Sequence, residues 1–548
     1  MTRVRALSLL MFACAVFYLV PLAFHGLWAP DETRYAQASQ EMLLTGNWAA
    51  PHFMGLRYFE KPAMGYWMIA TGQAIFGQNL FGVRVASAFS VGLSVLLTYL
   101  IANRLWNDPR RSLICAVVFM SFGLIAGISG YANIDPPFAL WVNLSFIALW
   151  YGVTSSTRRA RLWAWAGVGA ACALGVMTKG FLALALPVLV AVPYMLWQRR
   201  FGQLLRYGLL AVLVAVLVCL PWGIMVQLRE PDFWHFFFWH EHIQRFAGED
   251  AQHAQPMWFY LPLLVLSSLP WAALLPATFE HSWLNRRQPA TAFLALWLLL
   301  PLAFLSLAKG KLPTYILPCM MPLALLLGHS LSSALEHGRL RALRVNGLIN
   351  AVIGVLAIAA LVFTQLKRPV YFNEPGHLLM IGIALGGWVL ANAVSSYRPR
   401  LWLAPALGMG LLLALLPAAL PESVVNRKTP DTFIAEHTPE LQPLPRLLSN
   451  DLSAAAALAW HTARPEIFLY NTEGEAKYGV SYADAAYRRV SFEGVGQWLG
   501  EARKQGAVGV VMRVRDDDDV ELKQLPTDAS KRYEQGGIVI LIYDQKAS

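Results

Sequence analysis

Long apolar segments recur along the first 420 residues of this chain. A helix needs about 20 predominantly apolar residues to cross the roughly 30 Å hydrocarbon core of a bilayer. Such segments predict thirteen membrane-spanning helices, near residues 6–24, 81–102, 112–129, 138–154, 162–177, 181–197, 207–226, 258–278, 290–307, 316–333, 345–365, 378–395 and 401–420. Only 14% of the residues are charged, against about a quarter in a soluble domain. We therefore expect a polytopic α-helical membrane protein.

The first apolar segment, from Ala6 to Phe24, follows a short basic sequence, as the apolar part of a signal peptide would. A convincing small-x-small cleavage site does not follow it, and many further apolar segments do. We therefore expect an uncleaved first transmembrane helix.

Arginine residues predict the orientation of the helices. With a cytoplasmic N-terminus, the cytoplasmic loops contain 18 arginines against three acids, Asp108, Glu280 and Glu336. Basic residues accumulate in the cytoplasmic loops of membrane proteins, and every one of these loops follows that rule. Thirteen spans then place the C-terminus and the loop of residues 25–80 on the outer face. The net charge of +11 is explained by these loops, so nucleic acid is not an expected partner.

The residues after about Pro421 are polar and predict a second domain. Short apolar segments at Ile467–Tyr470, Val508–Val511 and Ile538–Tyr543 predict strands, and a helix is expected around Val495–Lys504. We expect a transmembrane domain of residues 1–420, and an α/β domain of residues 421–548 on the outer face.

The first external loop, residues 25–80, crowds polar side chains into a short stretch. Its candidate functional residues are Asp31, Arg34, Tyr35, Tyr58, Glu60 and Lys61. Asp31 follows a proline where a helix would begin, so capping of that helix is the alternative role. Further along the loop, Met64–Phe76 predicts an amphipathic helix lying in the membrane interface.

A second acid, Asp135, lies in an external turn close to the membrane. An ionisable group at that depth is costly unless it is paired or faces a wet cavity. Two interpretations therefore remain open: Asp135 caps the helix that begins at Pro136, or it belongs to a polar functional site.

The lysines before residue 400 all lie in loops assigned to the outer face, where the rule for basic residues would not place them. They are Lys61, Lys179, Lys309, Lys311 and Lys367. Lysine is a compact donor suited to phosphate. This set, with Tyr315 in the same short basic turn as Lys309 and Lys311, predicts a site for an anionic lipid headgroup or a phosphorylated lipid carrier. Extension of the side chains to the membrane interface is the alternative.

An aromatic stretch before residue 240 is followed by His240, Glu241, His242 and Arg245. Aromatic residues settle at the lipid boundary. In one interpretation His240 and Glu60 hold a divalent metal, with zinc as the candidate, although the spacing is not a strong zinc motif. In the other, these residues form a polar lip that binds a headgroup, and Arg245 contacts the substrate.

The first loop carries Pro30-Asp31-Glu32-x-Arg34-Tyr35-Ala, Arg57-Tyr58-Phe59-Glu60-Lys61-Pro62 and Tyr66-Trp67. These sequences resemble the first external loop of the membrane-embedded C-class glycosyltransferases. The resemblance is closest to the bacterial 4-amino-4-deoxy-L-arabinose (aminoarabinose) lipid A transferases, and protein O-mannosyltransferases are more distant.

This resemblance implies a glycosyltransferase of the bacterial inner membrane that acts on the periplasmic face. It would move aminoarabinose from an undecaprenyl-phosphate carrier to a lipid A phosphate, a modification that gives polymyxin resistance. It also implies that Asp31 and Asp135 are the catalytic acids, and that Lys61 contacts the carrier phosphate.

Two alternatives remain open. A related polyprenyl-phosphate-sugar transferase with a protein or glycan acceptor would carry the same loop. A flippase or transporter for a lipid-linked sugar would explain the many spans and the outer lysines. Transporters of that kind often have repeated halves and polar sites near the bilayer midplane. Here the acids before residue 421 lie in predicted loops, and no convincing repeat is found.

Overall fold

The computed structural model describes residues 3–239, 253–514 and 519–546. They belong to two compact units. The first unit comprises Met1–Leu22, Val85–Leu228 and Trp234–Ala419, and the second comprises Ala23–Arg84, Arg229–Phe233 and Leu420–Ser548. The first external loop is therefore part of the same unit as the C-terminal residues.

The first unit is built from helices. In the described part of the chain, nine helices are long and apolar enough to cross a membrane: Arg3–Ala23, Leu80–Trp106, Asp135–Thr154, Arg158–Lys179, Phe201–Arg229, Pro289–Leu307, Pro313–Glu336, Arg341–Lys367 and Pro375–Tyr397. Shorter or interrupted helices complete this set: Pro109–Met120, Gly123–Ser129, Leu182–Trp197, Met257–Ser267, Ala272–Leu284 and Ala404–Ala419. This confirms the predicted polytopic helical fold.

The predicted number of thirteen spans is not confirmed. Among the described residues, nine unbroken helices qualify, or up to twelve if each bent pair is one span. The segments at 112–129 and 258–278 contain bends of 65° and 108°. The segment at 181–197 forms a helix of 16 residues, which at 1.5 Å per residue extends only about 24 Å. Hydropathy detects apolar segments, but it does not detect where their helices bend or stop.

Helices Asp135–Thr154 and Arg158–Lys179 are joined by only three residues and form an antiparallel pair. Their connected ends lie together, and their free ends, at Asp135 and Lys179, also lie together. Helix Phe201–Arg229 approaches this pair closely, because a Cβ atom on Gly169 would lie 2.2 Å from the carbonyl oxygen of Ala211. Small residues permit such backbone contacts between membrane helices.

In the second unit, the first-loop residues form two helices and a hairpin. The helices are Asp31–Thr45 and Met64–Phe76, and both begin at the residue where the sequence predicts a helix. Between them, strand β1 (His52–Phe53) pairs with the antiparallel strand β2 (Leu56–Arg57).

The C-terminal residues of this unit form a six-stranded sheet with the order β5-β4-β3-β6-β8-β7. Its strands are β3 (Arg446–Ser449), β4 (Phe468–Tyr470), β5 (Arg489–Val490), β6 (Val508–Arg513), β7 (Lys531–Gln535) and β8 (Ile538–Tyr543). Strands β3 to β6 are parallel, whereas β8 is antiparallel to β6 and β7. The accompanying helices are Glu422–Lys428, Pro430–Leu441, Leu452–Thr462, Lys477–Val480, Val495–Gln505 and Val520–Lys523. The predicted α/β character is confirmed, with all three predicted strands present.

Candidate functional site

Asp135 and Lys179 form an ion pair at one end of the helical unit. Asp135 is the first residue of its helix and Lys179 is the last residue of the next, so the antiparallel pairing of the two helices brings them together. The ammonium group of Lys179 donates to Oδ1 of Asp135. The side chain of Asp135 is 5% exposed and that of Lys179 is 13% exposed. A charged group so far from water is tolerated because it has an opposite charge beside it.

The second carboxylate oxygen of Asp135 is also bound, because the hydroxyl of Thr314 donates to Oδ2. The Nζ atom of Lys179 lies 4.0 Å from the ring centroid of Tyr315, close enough for a cation–π interaction. Three sequence-predicted residues, Asp135, Lys179 and Tyr315, are therefore brought together, and Thr314 joins them. Side-chain capping of the helix by Asp135 is not observed, since the N-cap residue is Ile134 and no side chain caps it.

The other predicted lysines of the helical unit are not part of this cluster. Lys311 is buried, and its ammonium group donates to the carbonyl oxygens of Gln255, at 2.8 Å, and of Ala308. Its charge therefore holds loop backbone in place. Lys309 is exposed in the same loop, and Lys367 is the exposed last residue of its helix.

A second polar cluster lies in the other unit, around Arg34. Its guanidinium donates through Nη2 to Oδ1 of Asp31 and through Nη1 to Oε2 of Glu475. The hydroxyl of Tyr58 donates to the same oxygen of Glu475 at 2.9 Å. Asp31 and Arg34 are three residues apart on one helix, a spacing that places them on the same face. Tyr35 lies beneath the guanidinium, with its ring centroid 5.1 Å from the Cζ atom of Arg34.

Asp31 is the first residue of its helix and is preceded by Pro30 at the N-cap, where no side-chain cap is present. Its carboxylate accepts a hydrogen bond from the guanidinium of Arg34 on the same helix, and 32% of the Asp31 side chain is exposed. The negative charge in the first helical turn is favoured by the partial positive charge of the helix N-terminus. Asp31 is thus fixed in place but still open to a ligand.

Electrostatics favour the charged forms of Glu475 and Arg34. Burial alone would raise the pKa of Glu475, but the charge of Arg34 and hydrogen bonds from Arg34 and Tyr58 hold that pKa below its usual value. The charge of Lys61 lowers the pKa of Glu475 further, which shows that Lys61 is near the cluster. Burial opposes the charge of Arg34, yet the surrounding tyrosines and carboxylates raise the pKa of Arg34 well above its ordinary value.

The sequence did not point to Glu475, which lies 441 residues from Arg34. Its local sequence has no pattern that separates it from an ordinary surface glutamate. Thr314 was missed for a similar reason, although it is the immediate neighbour of the predicted Tyr315.

A buried ion pair supports the start of the Asp31 helix. Glu32 and Arg84 are both fully buried, with Nη2 of Arg84 2.7 Å from Oε2 of Glu32. Arg84 also donates to the carbonyl oxygens of His25, at 2.9 Å, and Gly26, at 2.6 Å. The backbone leading into the Asp31 helix is therefore held at several points.

The predicted metal site has no support among the described residues. In that part of the chain, no group of three His, Cys, Asp or Glu side chains is arranged to hold a metal ion. His240 and Arg245 lie outside the described residues. The pairing of His240 with Glu60 and the substrate contact of Arg245 therefore stay predictions.

Two family models match the chain. Residues 425–542 match "Arabinosyl transferase ArnT, C-terminal domain", and residues 4–237 match "Dolichyl-phosphate-mannose-protein mannosyltransferase". Among solved structures, the fold of this chain is similar to that of ArnT from Cupriavidus metallidurans bound to undecaprenyl phosphate. The TM-score is 0.83 at 24% identity, with 98% of this chain and 97% of the other covered.

Curated relatives match over nearly the full chain. A protein of Pseudomonas fluorescens, "undecaprenyl phosphate-alpha-4-amino-4-deoxy-L-arabinose arabinosyl transferase 2", is 60% identical over 98% of this chain and 93% of its own length. The protein of Pseudomonas aeruginosa named as the same arabinosyl transferase is 58% identical, with both chains fully covered. The chain therefore belongs to the family of undecaprenyl phosphate-α-4-amino-4-deoxy-L-arabinose arabinosyl transferases.

Proposed function

We propose that this protein transfers 4-amino-4-deoxy-L-arabinose from undecaprenyl phosphate to a phosphate group of lipid A. The sugar and the carrier are those named for relatives 60% identical over nearly the whole chain, and this similarity is the observation that carries the proposal. Lipid A is the acceptor implied by the resemblance of the first loop to the aminoarabinose lipid A transferases.

The reaction would be a displacement at C1 of the sugar. A phosphate oxygen of lipid A forms the new bond to C1, the bond from C1 to the carrier phosphate breaks, and its electron pair leaves with undecaprenyl phosphate. Negative charge therefore grows on the carrier phosphate as the bond breaks. Positively charged groups placed before the reaction stabilise such charge without reorganisation of solvent. Lys61, Lys179, Lys309, Lys311 and Arg245 are the sequence candidates for that role.

Lys179 is the best supported of these lysines. It is already oriented by Asp135 and lies against the ring of Tyr315, so its position is fixed before a ligand arrives. A carrier phosphate that reached Lys179 would compete with the Asp135 carboxylate for the ammonium group. Asp135 would then act as the residue that positions Lys179, whereas Lys311, bound to two carbonyl oxygens, is the weakest candidate.

Asp31 would act mainly by position and charge. A lipid A phosphate is already an anion at neutral pH, so this acceptor needs no general base, unlike a hydroxyl acceptor. The exposed edge of Asp31 would bind the ammonium group of the sugar or orient the acceptor, while Arg34 holds the carboxylate in place. Glu475 and Tyr58 would support Arg34 in that task.

We also propose that Asp135 and the first loop face the periplasm, in the inner membrane of a bacterium. The arginine-rich loops after Thr154 and Trp197 would then be cytoplasmic. The outer domain of residues 421–548 would lie on the periplasmic side with the first loop. Cysteine substitutions at an exposed loop position on each side, labelled in intact cells with an impermeant maleimide, would test this orientation.

Two experiments separate the proposal from its rivals. Transfer of the sugar by purified protein in detergent, where no membrane sides exist, would distinguish an enzyme from a flippase, which moves its substrate unchanged. Mass spectrometry of lipid A from cells with and without the gene would identify the acceptor. The aminoarabinose mass on lipid A should disappear without the gene, and an unchanged lipid A spectrum would contradict the proposed acceptor.

The residue assignment is tested by Asp31→Asn, which preserves the shape of the side chain and removes its charge. We expect transfer to fall by at least about 100-fold, as for removal of one preorganised electrostatic contact at a reacting centre. Full transfer activity in purified, folded Asp31→Asn protein would rule out the central role of this carboxylate.

A further inference from the structure

Six arginines lie at the end of the helical unit that is farthest from Asp135 and Lys179. They are Arg158, Arg159, Arg161, Arg199, Arg200 and Arg206, which we call the arginine patch. Helix Asp135–Thr154 has 20 residues and spans about 30 Å at 1.5 Å per residue. The patch therefore lies a full membrane thickness away from the proposed catalytic acid, and it is not part of that site.

Contacts between neighbouring loops bring the patch together. Arg200 donates through Nη1 to the carbonyl oxygen of Val153 at 2.6 Å, which ties the loop before helix Phe201–Arg229 to the end of helix Asp135–Thr154. Arg161 donates to the carbonyl oxygen of Ser155 at 2.9 Å. These bonds use only part of each guanidinium, and the Nε atom of Arg161 is buried without a hydrogen-bond partner.

One aromatic ring holds two members of the patch. The Cζ atoms of Arg161 and Arg206 each lie 5.8 Å from the ring centroid of Tyr207. The two guanidinium groups are thus within twice that distance of each other, although both are positively charged. The close approach of Gly169 to Ala211 fixes the two helices that carry them.

The arginine patch lacks compensating negative charge. Residues 136–229 contain no aspartate or glutamate. Within the described parts of the chain, no ion pair is recorded for any of the six arginines, although ion pairs occur elsewhere at this end. There, Asp108 and Glu336 both pair with Arg111. Mutual repulsion of the six charges would be relieved by an anionic ligand.

Apolar side chains beside the patch indicate that this ligand has acyl chains. Trp163 is 70% exposed and Leu205 is 62% exposed, and they lie near the arginines in sequence on the helices Arg158–Lys179 and Phe201–Arg229. Tryptophan is enriched at the membrane–water interface, where its ring lies at the level of the headgroups. Clusters of basic residues between membrane helices bind phospholipids with more than one phosphate.

We propose that the arginine patch is a binding site for a doubly anionic phospholipid, of the diphosphatidylglycerol type, in the leaflet opposite the sugar-transfer site. Its two phosphates would be bound by Arg158, Arg159 and Arg206, which are exposed and make no ion pair among the described residues. Arg161 and Arg200 hold the loop backbone in the shape that presents them.

Native mass spectrometry of the full-length protein in detergent tests this site, with diphosphatidylglycerol, phosphatidylglycerol and phosphatidylethanolamine titrated in separate arms. The test variant is Arg158→Gln/Arg159→Gln/Arg206→Gln. The control is Arg339→Gln/Arg341→Gln/Arg344→Gln, which removes three exposed arginines beside Glu336, at the same end of the unit. We expect the test variant to bind diphosphatidylglycerol about tenfold more weakly, and the control to bind it like the wild type.

Three outcomes would overturn the proposal. These are undiminished binding by the test variant, an equal loss in the control, and equal retention of phosphatidylethanolamine by the wild type. An equal loss would mean that only the general positive charge of this face attracts lipid. Sugar transfer in detergent, which depends on the other end of the unit, should stay unchanged in both variants and would show that they fold. If the triple variant is unstable, Arg158→Gln/Arg159→Gln replaces it, since both side chains are exposed.

Discussion

The carboxylate of Asp135 and the ammonium of Lys179 form an ion pair across the free ends of two antiparallel helices, although the two residues are 44 positions apart in the chain. Both side chains are largely buried, and the hydroxyl of Thr314 donates to Oδ2 of Asp135, the carboxylate oxygen to which Lys179 does not donate. Each residue therefore depends on the other, because removal of one leaves the other as an uncompensated charge in an environment that solvates it poorly.

Lys179→Met should lower the stability of the protein by about 3–5 kcal/mol, the usual effect of removing one partner of a buried ion pair. Asp135→Asn/Lys179→Met should recover much of that loss, because no unpaired charge remains. Thermal unfolding in detergent measures both effects. Transfer activity should be absent from both variants; a double variant that is stable and fully active would contradict the functional role of the pair.

Glu475→Gln should reduce sugar transfer strongly, because Arg34 and Tyr58 lose the anion that positions them. Tyr58→Phe is the milder matched variant, since it removes one hydrogen bond and keeps the charges. We expect the loss to be larger in Glu475→Gln than in Tyr58→Phe when initial rates are compared. The reverse order would mean that Glu475 is not the centre of this cluster.

The same residue predicts a dependence of stability on pH. The pKa of Glu475 is lower in the folded protein than in the unfolded chain. Its contribution to the free energy of unfolding is therefore complete at pH values above the pKa of the unfolded chain, and it is lost as the pH falls through the pKa of the folded protein. The melting temperature of the wild type should therefore fall on acidification below about pH 4.5, near the ordinary value for glutamate. Glu475→Gln should show a smaller fall, and an identical pH profile would exclude this contribution.

The buried carboxyl group of Asp431 predicts a contribution to stability that changes with pH in the opposite direction. Burial raises the pKa of Asp431 to about 7, and His461, 4.0 Å away, offers no positive charge because burial lowers its pKa to about 4. Between about pH 4 and pH 7 the folded state holds on Asp431 a proton that the unfolded state has lost, so the contribution of Asp431 to stability should fall as pH rises through this range, opposed up to about pH 6.5 by the lowered pKa of His461. The gap between a pKa of about 7 and an unfolded value near 3.9 corresponds to roughly 4 kcal/mol.

Asp431→Asn tests this behaviour, because the amide oxygen can still accept the hydrogen bond that the backbone N–H of Leu27 donates at 2.8 Å. The melting temperature of the variant relative to that of the wild type should rise between about pH 4 and pH 7, and the variant should melt at the higher temperature at pH 8. A difference between the two melting temperatures that stays constant from pH 4 to pH 8 would contradict the raised pKa.

Glu32→Gln should destabilise the second unit by about 3–5 kcal/mol, since Arg84 would be left as a fully buried cation. Glu41→Gln is a suitable comparison on the same helix, because Glu41 accepts hydrogen bonds from Gln37 and Gly55 that an amide oxygen can partly keep. Thermal unfolding should show a larger loss for Glu32→Gln. Equal losses would mean that the charge of Arg84 is balanced by the backbone carbonyls alone.

Local patterns predicted those parts of the protein that depend on neighbouring residues. Apolar segments of helical length predicted the membrane helices, and short apolar segments predicted strands of the C-terminal sheet. The helix from Asp31 also follows from local sequence, and so does the contact of Asp31 with Arg34, because residues three apart share a helix face. Bends such as the one in residues 257–284 were not predicted, since hydropathy does not report the direction in which a helix runs.

Tertiary structure alone decided which distant side chains meet. The sequence by itself determined a membrane-embedded helical chain with a polar first loop and a C-terminal α/β part. The family resemblance implied that Asp135 is a catalytic acid, and the lysine pattern made Lys179 and Lys311 candidates for substrate binding. Packing then joined Asp135 to Lys179, turned Lys311 towards backbone carbonyls and brought Glu475 to Arg34. The physical reason is that periodicity acts over a few residues, whereas a buried charge takes whichever partner the folded chain places beside it.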